Sequence, residues 1–173
     1  LIDIDRVDSM CILGVIVSNT LSFKMHVNNI VVKANRSFYA LKTLHAHGLD
    51  GQALWDVTRA TLVAQLLYAS PAWWGFLKAD DKSRLQSLLT KAQRYGYLPC
   101  KFDTLDTLCE SLDQTLFHST MYNTKHVLHQ LLPHPKETGY NLRHRSHSLT
   151  IPSGVTNTMK QNLIYRKLFY DIY

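Results

Sequence analysis

Along residues 1–20, apolar and polar positions alternate loosely around Met10, Ile12, Val15 and Val17, with Gly14 between them and Ser18-Asn19 at the end. A period of two predicts a β-hairpin or a strand leading into a turn, with Ile2 and Ile4 as material for a partner strand. From Ser22 the period changes. Phe23, Val27, Ile30, Ala34, Phe38 and Leu41 recur at steps of four and three, which places them on one stripe of a single long helix. Ser22 fits its N-cap, and Gly48 fits the left-handed position just past its end. Asp50 then caps a second helix with Leu54, Val57, Thr61, Ala64 and Leu67 inward, stopped at Ser70-Pro71 because the residue before a proline is pushed out of helical geometry.

An aromatic patch follows (Tyr68, Trp73, Trp74, Phe76), and Asp80 caps a third helix through Leu85, Leu88, Leu89, Ala92 and Tyr95 to Gly96. Two shorter helices are expected around Leu105–Cys109 and from about Asp113 to Leu132. Pro133-His134-Pro135 breaks the pattern. Residues 136–158 are polar and irregular, and an amphipathic period returns from Met159 to Tyr173 through Leu163, Ile164, Leu168 and Ile172. The expected fold is mainly α: a helical bundle over 21–132, a small N-terminal β-hairpin over 1–20, and a basic C-terminal tail over 133–173 that ends in an amphipathic helix.

Composition supports a folded, helix-rich chain. Hydrophobic residues make up 46% and charged residues 18%, while seven glycines and five prolines are too few for the frequent turns of a strand-rich domain. The net charge of +6, with nine histidines besides, favours a polyanionic partner through phosphate neutralisation and counterion release. Cys11, Cys100 and Cys109 form an odd, sparse set that suits a reducing, intracellular compartment. No stretch approaches the ~20 apolar residues that span a bilayer, so no membrane partner is expected. The chain has neither an initiator methionine nor a charged-then-apolar leader, which is the expectation for a piece of a longer polypeptide without a signal peptide.

Catalytic chemistry is sparse. Ala79-Asp80-Asp81 has the look of the adjacent aspartates that hold paired metals in polymerases, but it opens a helical run, where acidic residues favour the N-terminus anyway. His126 and His129 would share a helix face, yet Cys100 and Cys109 are too far apart for a zinc knuckle. Neither a glycine-rich phosphate loop nor a nucleophile elbow is present, so no cofactor and no small-molecule ligand is expected in this chain. The basic groups say more. On a wheel of about 100° per residue, Lys33 and Arg36 lie on one flank of the first helix, beside Asn29, Tyr39 and Thr43, as a surface able to track a phosphate backbone. Trp73 and Trp74 have the chemistry to stack on bases, and equally the chemistry of core.

The order of short motifs is recognisable. Cys11-Ile12-Leu13-Gly14-Val15, then Leu21-Ser22-Phe23-Lys24-Met25-His26-Val27, resembles the segment that follows the catalytic palm in non-LTR retrotransposon reverse transcriptases. Lys33-Ala34-Asn35-Arg36-Ser37, Leu67-Tyr68-Ala69-Ser70-Pro71-Ala72-Trp73 and Leu85…Lys91-Ala92-Gln93-Arg94 continue the match. Tyr140-Asn141-Leu142-Arg143-His144-Arg145-Ser146-His147 and Asn162…Arg166…Tyr170 are similar to the ends of jockey-like and related elements. The resemblance spans essentially the whole chain.

What it implies is a thumb-like region of an RNA-directed DNA polymerase, with the Leu13-Gly14 hairpin near the primer grip and the first helix along the primer–template duplex. Lys33 and Arg36, with Arg59, Arg143 and Arg145, are the candidate nucleic-acid contacts. The implied partners are RNA and DNA together with the missing palm and fingers of the same polypeptide, and Mg²⁺ belongs to that palm. The parent element would work in nucleus and cytoplasm. The family's aromatic-Ala-Asp-Asp motif precedes the Leu-Gly-Val strand, whereas Asp80-Asp81 follows it behind a lysine, so no catalytic residue is transferred. The rival reading is a decayed or domesticated helical fragment that binds proteins through a Trp73–Phe76 patch.

Overall fold

The structure, a computed structural model, describes residues 6–136 and 147–170. It is mainly helical, with one antiparallel hairpin at the N-terminal end of the described chain. Strands β1 (Ser9–Ile12) and β2 (Val15–Ser18) pair Ser9 with Ser18 and Ile12 with Val15. Only Leu13 and Gly14 connect them, at φ +47° and +85°. A two-residue loop with both residues left-handed matches the twist of the flanking strands. Glycine adopts that geometry freely, whereas Leu13 pays about 1 kcal/mol for it. The partner of β2 is thus β1; Ile2 and Ile4 lie outside the described residues. Val15 and Val17 turn inward onto the helical core.

Helix α1 (Lys24–Ala46) carries the anticipated stripe, with Phe23, Val27, Ile30, Ala34, Phe38 and Leu41 all buried. It starts later than expected. Buried Phe23 takes the cap position, while Ser22 just before it donates its amide to Ser18 Oγ at 3.0 Å and accepts the Lys24 amide on its hydroxyl at 3.5 Å. The other end ends on glycine as the sequence indicates. Gly48 sits at φ +91°, and the Leu49 amide reaches back to the Leu44 carbonyl at 3.1 Å.

The second helical rod is α2 (Gly51–Thr58), a wide π turn (Arg59–Val63) and α3 (Ala64–Leu67). The expected inward face is rotated. Leu54, Thr58, Leu62, Val63 and Leu66 are buried, Val57, Thr61 and Leu67 are half-buried, and Ala64 is exposed. A π turn holds one residue more than an α turn, so the face runs at steps of four and leaves the 3.6-residue pattern. Thr58 and Thr61 return their hydroxyls to the Leu54 and Val57 carbonyls at 2.8 and 2.7 Å, so Thr58 can be buried without an orphaned group. Ala69, at φ +51°, breaks the rod. Ser70-Pro71 does not end this helix but opens the next, α4 (Ser70–Trp73), where proline suits the first turn.

A 3-10 turn (Trp74–Phe76) leads to α5 (Ala79–Arg94), capped by Lys78 rather than Asp80. Of the anticipated residues, Leu85, Leu88, Leu89 and Ala92 are buried, whereas Tyr95 caps the helix end and is exposed; Gly96 follows at φ +74°. Helix α6 (Leu105–Tyr122) is one helix where two were expected. Its inward positions step by four through Leu105, Cys109, Asp113 and Phe117, and the polar member interrupts the apolar pattern without interrupting the helix. Beyond Tyr122 the expected continuation to Leu132 is absent; turns and a 3-10 segment (His129–Leu131) replace it.

Helices α7 (Asn157–Lys160) and α8 (Leu163–Leu168) complete the described chain. Ile164 and Leu168 form a small second core with Phe117 of α6. Two ion pairs cross the same seam: Arg166 donates to Asp113 at 2.6 Å, and Lys167 meets Glu110. Gly75 leaves the space for Arg166. A Cβ there would stand 2.0 Å from the guanidinium and 2.2 Å from the Gln161 carbonyl.

Candidate nucleic-acid interface

Helix α1 buries one stripe and turns the rest outward. Lys33 and Arg36 are exposed, as the wheel requires, and neither meets a carboxylate within ion-pair distance among the described residues. Tyr39 is 76% exposed; Thr43 is exposed with its hydroxyl on the Tyr39 carbonyl, and Asn29 is half-buried. Lys24 and Lys42, not singled out by the wheel, are exposed on the same helix. Residues 9–49 contain no aspartate or glutamate at all, a signal plainly readable in the sequence. The charged side chains that α1 itself turns outward are therefore all basic, although Asp80 and Asp81 of α5 line a common pocket with Lys24. Between the basic flanks of α1 run Met25, Val32 and Tyr39, seven residues apart and all more than half exposed.

The hairpin tip is tied to this helix through α3. Gln65 of α3 donates to Ser37 Oγ at 3.1 Å, and Ser37 in turn lies over the Lys33 carbonyl, so the end of α3 runs against the Lys33 flank of α1. Three residues on, the Tyr68 hydroxyl donates to the Leu13 carbonyl at 2.9 Å. Leu13 itself is 87% exposed. These contacts connect Leu13 and Gly14, through α3, to the Lys33 side of α1.

Arg59 is placed differently. It pairs with Asp56 at 3.8 Å and lies 5.7 Å over the Phe102 ring, facing the connection between α5 and α6. Arg143 and Arg145 lie outside the described residues.

A second tie holds β2 to α1. His26 is buried, its Nδ1 accepts the Ile16 amide at 3.4 Å, and its ring stands edge-on to Trp73 with centroids 5.1 Å apart. A nitrogen that accepts carries no proton, so the neutral ring holds its proton on Nε2. Burial, and after it the charge of Lys33, lowers the His26 pKa below the ordinary 6.5.

The other sequence candidates resolve into structural roles. Trp73 and Trp74 are buried, so neither offers a face to a base, and the Trp73–Phe76 patch is internal rather than a partner surface. The Trp73 indole donates to the Tyr68 carbonyl at 3.0 Å. Asp81 is held by Arg84 at 3.2 Å, and Arg84 also donates to Asn28 at 3.0 Å. With its charge met by a guanidinium and its backbone in a first helical turn, the Asp80-Asp81 pair does not fit a metal site. His126 and His129 leave the helix that was to align them; they serve the Leu128 amide and the Thr120 carbonyl. Among the described residues no group of three or more His, Cys, Asp or Glu side chains is placed to hold a metal ion. No described helix is long and apolar enough to cross a membrane.

Comparison with protein-family models, with curated proteins and with solved structures finds no match to this chain.

Proposed function

We propose that this chain is the thumb-like region of a non-LTR retrotransposon reverse transcriptase and that it holds primer–template duplex without a catalytic centre of its own. One observation carries the reading: a 23-residue helix that bears Lys33 and Arg36 on one exposed flank and Lys24 and Lys42 on the other, within a stretch free of acidic residues. At 1.5 Å per residue, Lys24 and Lys42 stand about 27 Å apart, enough to follow a duplex for most of a turn. The motif order quoted above supports the family, and the same reading assigns polymerisation, Mg²⁺ and the fingers to other parts of the parent polypeptide.

Contacts of this kind go to phosphates, so binding is indifferent to sequence and steep in salt. The test is fluorescence anisotropy of the chain with a mixed-sequence RNA·DNA hybrid over a salt series. Each lost phosphate contact lowers the log–log slope by roughly 0.9, so K33E/R36E should lower it by about two and weaken binding at least tenfold. A variant with intact circular dichroism and unchanged affinity would remove these residues from the interface. A wild-type chain with no salt-sensitive affinity would end the duplex-holding reading altogether.

A further inference from the structure

We infer that Tyr68 is a positioning residue for the hairpin tip, and that its hydroxyl ties Leu13 to the Lys33 side of α1; this rests on the duplex-holding reading above. Leu13 is an odd choice for its place. It is a large apolar side chain at a left-handed position where asparagine or glycine would relieve the backbone, and it is 87% exposed. Local conformation does not favour it, and burial within the chain does not reward it. The side chain is spent outward, which suits contact with a ligand, such as the sugar edge or end face of a duplex gripped by Lys33 and Arg36.

A two-stranded hairpin is marginally stable alone, so a tip used for contact has to be fixed to something rigid. The structure supplies a closed circuit of attachments. The Tyr68 hydroxyl donates to the Leu13 carbonyl at 2.9 Å, and its ring lies under Gly14, 3.5 Å from where a Cβ would be. The Tyr68 carbonyl is pinned by the Trp73 indole at 3.0 Å, while Ala69 takes the left-handed turn that ends the rod there. Trp73 stacks edge-on against His26, and His26 accepts the amide of Ile16, back on the hairpin. On the hairpin the Tyr68 side chain meets the Leu13 carbonyl and the Gly14 backbone, so it acts through the placement of Leu13 and not through a ligand contact of its own.

The experiment compares wild type, Tyr68→Phe, Leu13→Asn and the double variant in the same anisotropy assay with the RNA·DNA hybrid. Hydrogen exchange of the paired Ile12 and Val15 amides is read alongside. Tyr68→Phe removes one oxygen and should leave the melting temperature in place. It should speed exchange at the hairpin about five- to tenfold, the loss expected for one hydrogen bond, and weaken binding about threefold or more with an unchanged salt slope. Leu13→Asn keeps a turn-favouring residue and removes the apolar tip, so adding Tyr68→Phe to it should cost no further affinity. Full additivity of the two substitutions would overturn the inference, since Tyr68 would then act independently of Leu13. Unchanged affinity for Tyr68→Phe, with K33E/R36E still weakening binding, would overturn it while leaving the duplex reading intact. A wild-type chain that does not bind the hybrid would end both.

Discussion

Replacing Arg166 with alanine removes the cation from a carboxylate that has little else. Asp113 is 2% exposed, its Oδ2 takes the guanidinium at 2.6 Å, and its Oδ1 has no partner among the described residues. Burial pushes the Asp113 pKa up, against the pull of Arg166 and, after it, Lys167. Breaking a buried pair from one side strands a charge and costs about 3–5 kcal/mol, against under about 1 kcal/mol for an exposed pair. Arg166→Ala should therefore lower the urea midpoint by an amount equivalent to about 3–5 kcal/mol at pH 7, and Gly75→Ala should approach it by pushing the guanidinium and the Gln161 backbone out of the same space. The deficit has a sign in pH. Without Arg166 the folded-state pKa of Asp113 rises further above its unfolded value, so folding is favoured below that unfolded value and disfavoured as pH climbs through the folded one. The penalty of Arg166→Ala should shrink as pH falls toward 4, and Asp113→Asn/Arg166→Leu should recover much of it at pH 7. A pH-independent loss below 1 kcal/mol would show that water reaches this seam and that the pair does not dock α8.

The remaining expectations are smaller. The folded His26 pKa lies below 6.5, so the unfolded chain takes up that proton first. Stability is then full above about 6.5 and falls as pH drops from there toward the folded value, and His26→Gln should flatten this part of a denaturation-midpoint curve; an unaltered curve would clear His26 of the role. Cys109 is buried with its thiol pushed up to about 12, mainly by desolvation, whereas Cys11 and Cys100 are exposed. A thiol reagent at pH 8 should consume two thiols quickly and the third only on unfolding. Rapid labelling of all three would mean that the α4–α6 seam opens readily.

Much of this architecture was legible where apolar spacing alone decides it. The α1 stripe, the α5 core positions, and the glycines after both helices follow from rotation per residue and from the freedom of glycine at positive φ. The exposed flank of Lys33 and Arg36 is the complement of that stripe, so it was legible too. What spacing could not convey was the π turn at Arg59–Val63, because one added residue changes the phase of everything after it without leaving a compositional mark. Nor could it convey the Tyr68–Leu13 bond, which joins residues 55 apart in sequence. Tyr68 reads as one more aromatic in a cluster until the fold shows that Trp73 and Trp74 face inward and Tyr68 does not.

The misread helix at Asp113 has a more general cause. An aspartate at an inward position looks like a helix start, since a carboxylate beside free amides is the commonest reason for one to sit near a helical run. Here the same residue occupies the core side of α6 because a distant segment, α8, brings Arg166 to meet it. Local pattern therefore fails at the place where stability is supplied from elsewhere in the chain. The hairpin follows the same logic in reverse. Leu13 violates the preference of its turn, and neither its exposure nor its conformation is compensated by contacts of its own side chain within the described protein; only its carbonyl is held, by Tyr68. The Asp113 anomaly is answered inside the fold by Arg166; on the duplex-holding reading proposed above, the Leu13 anomaly is answered outside it.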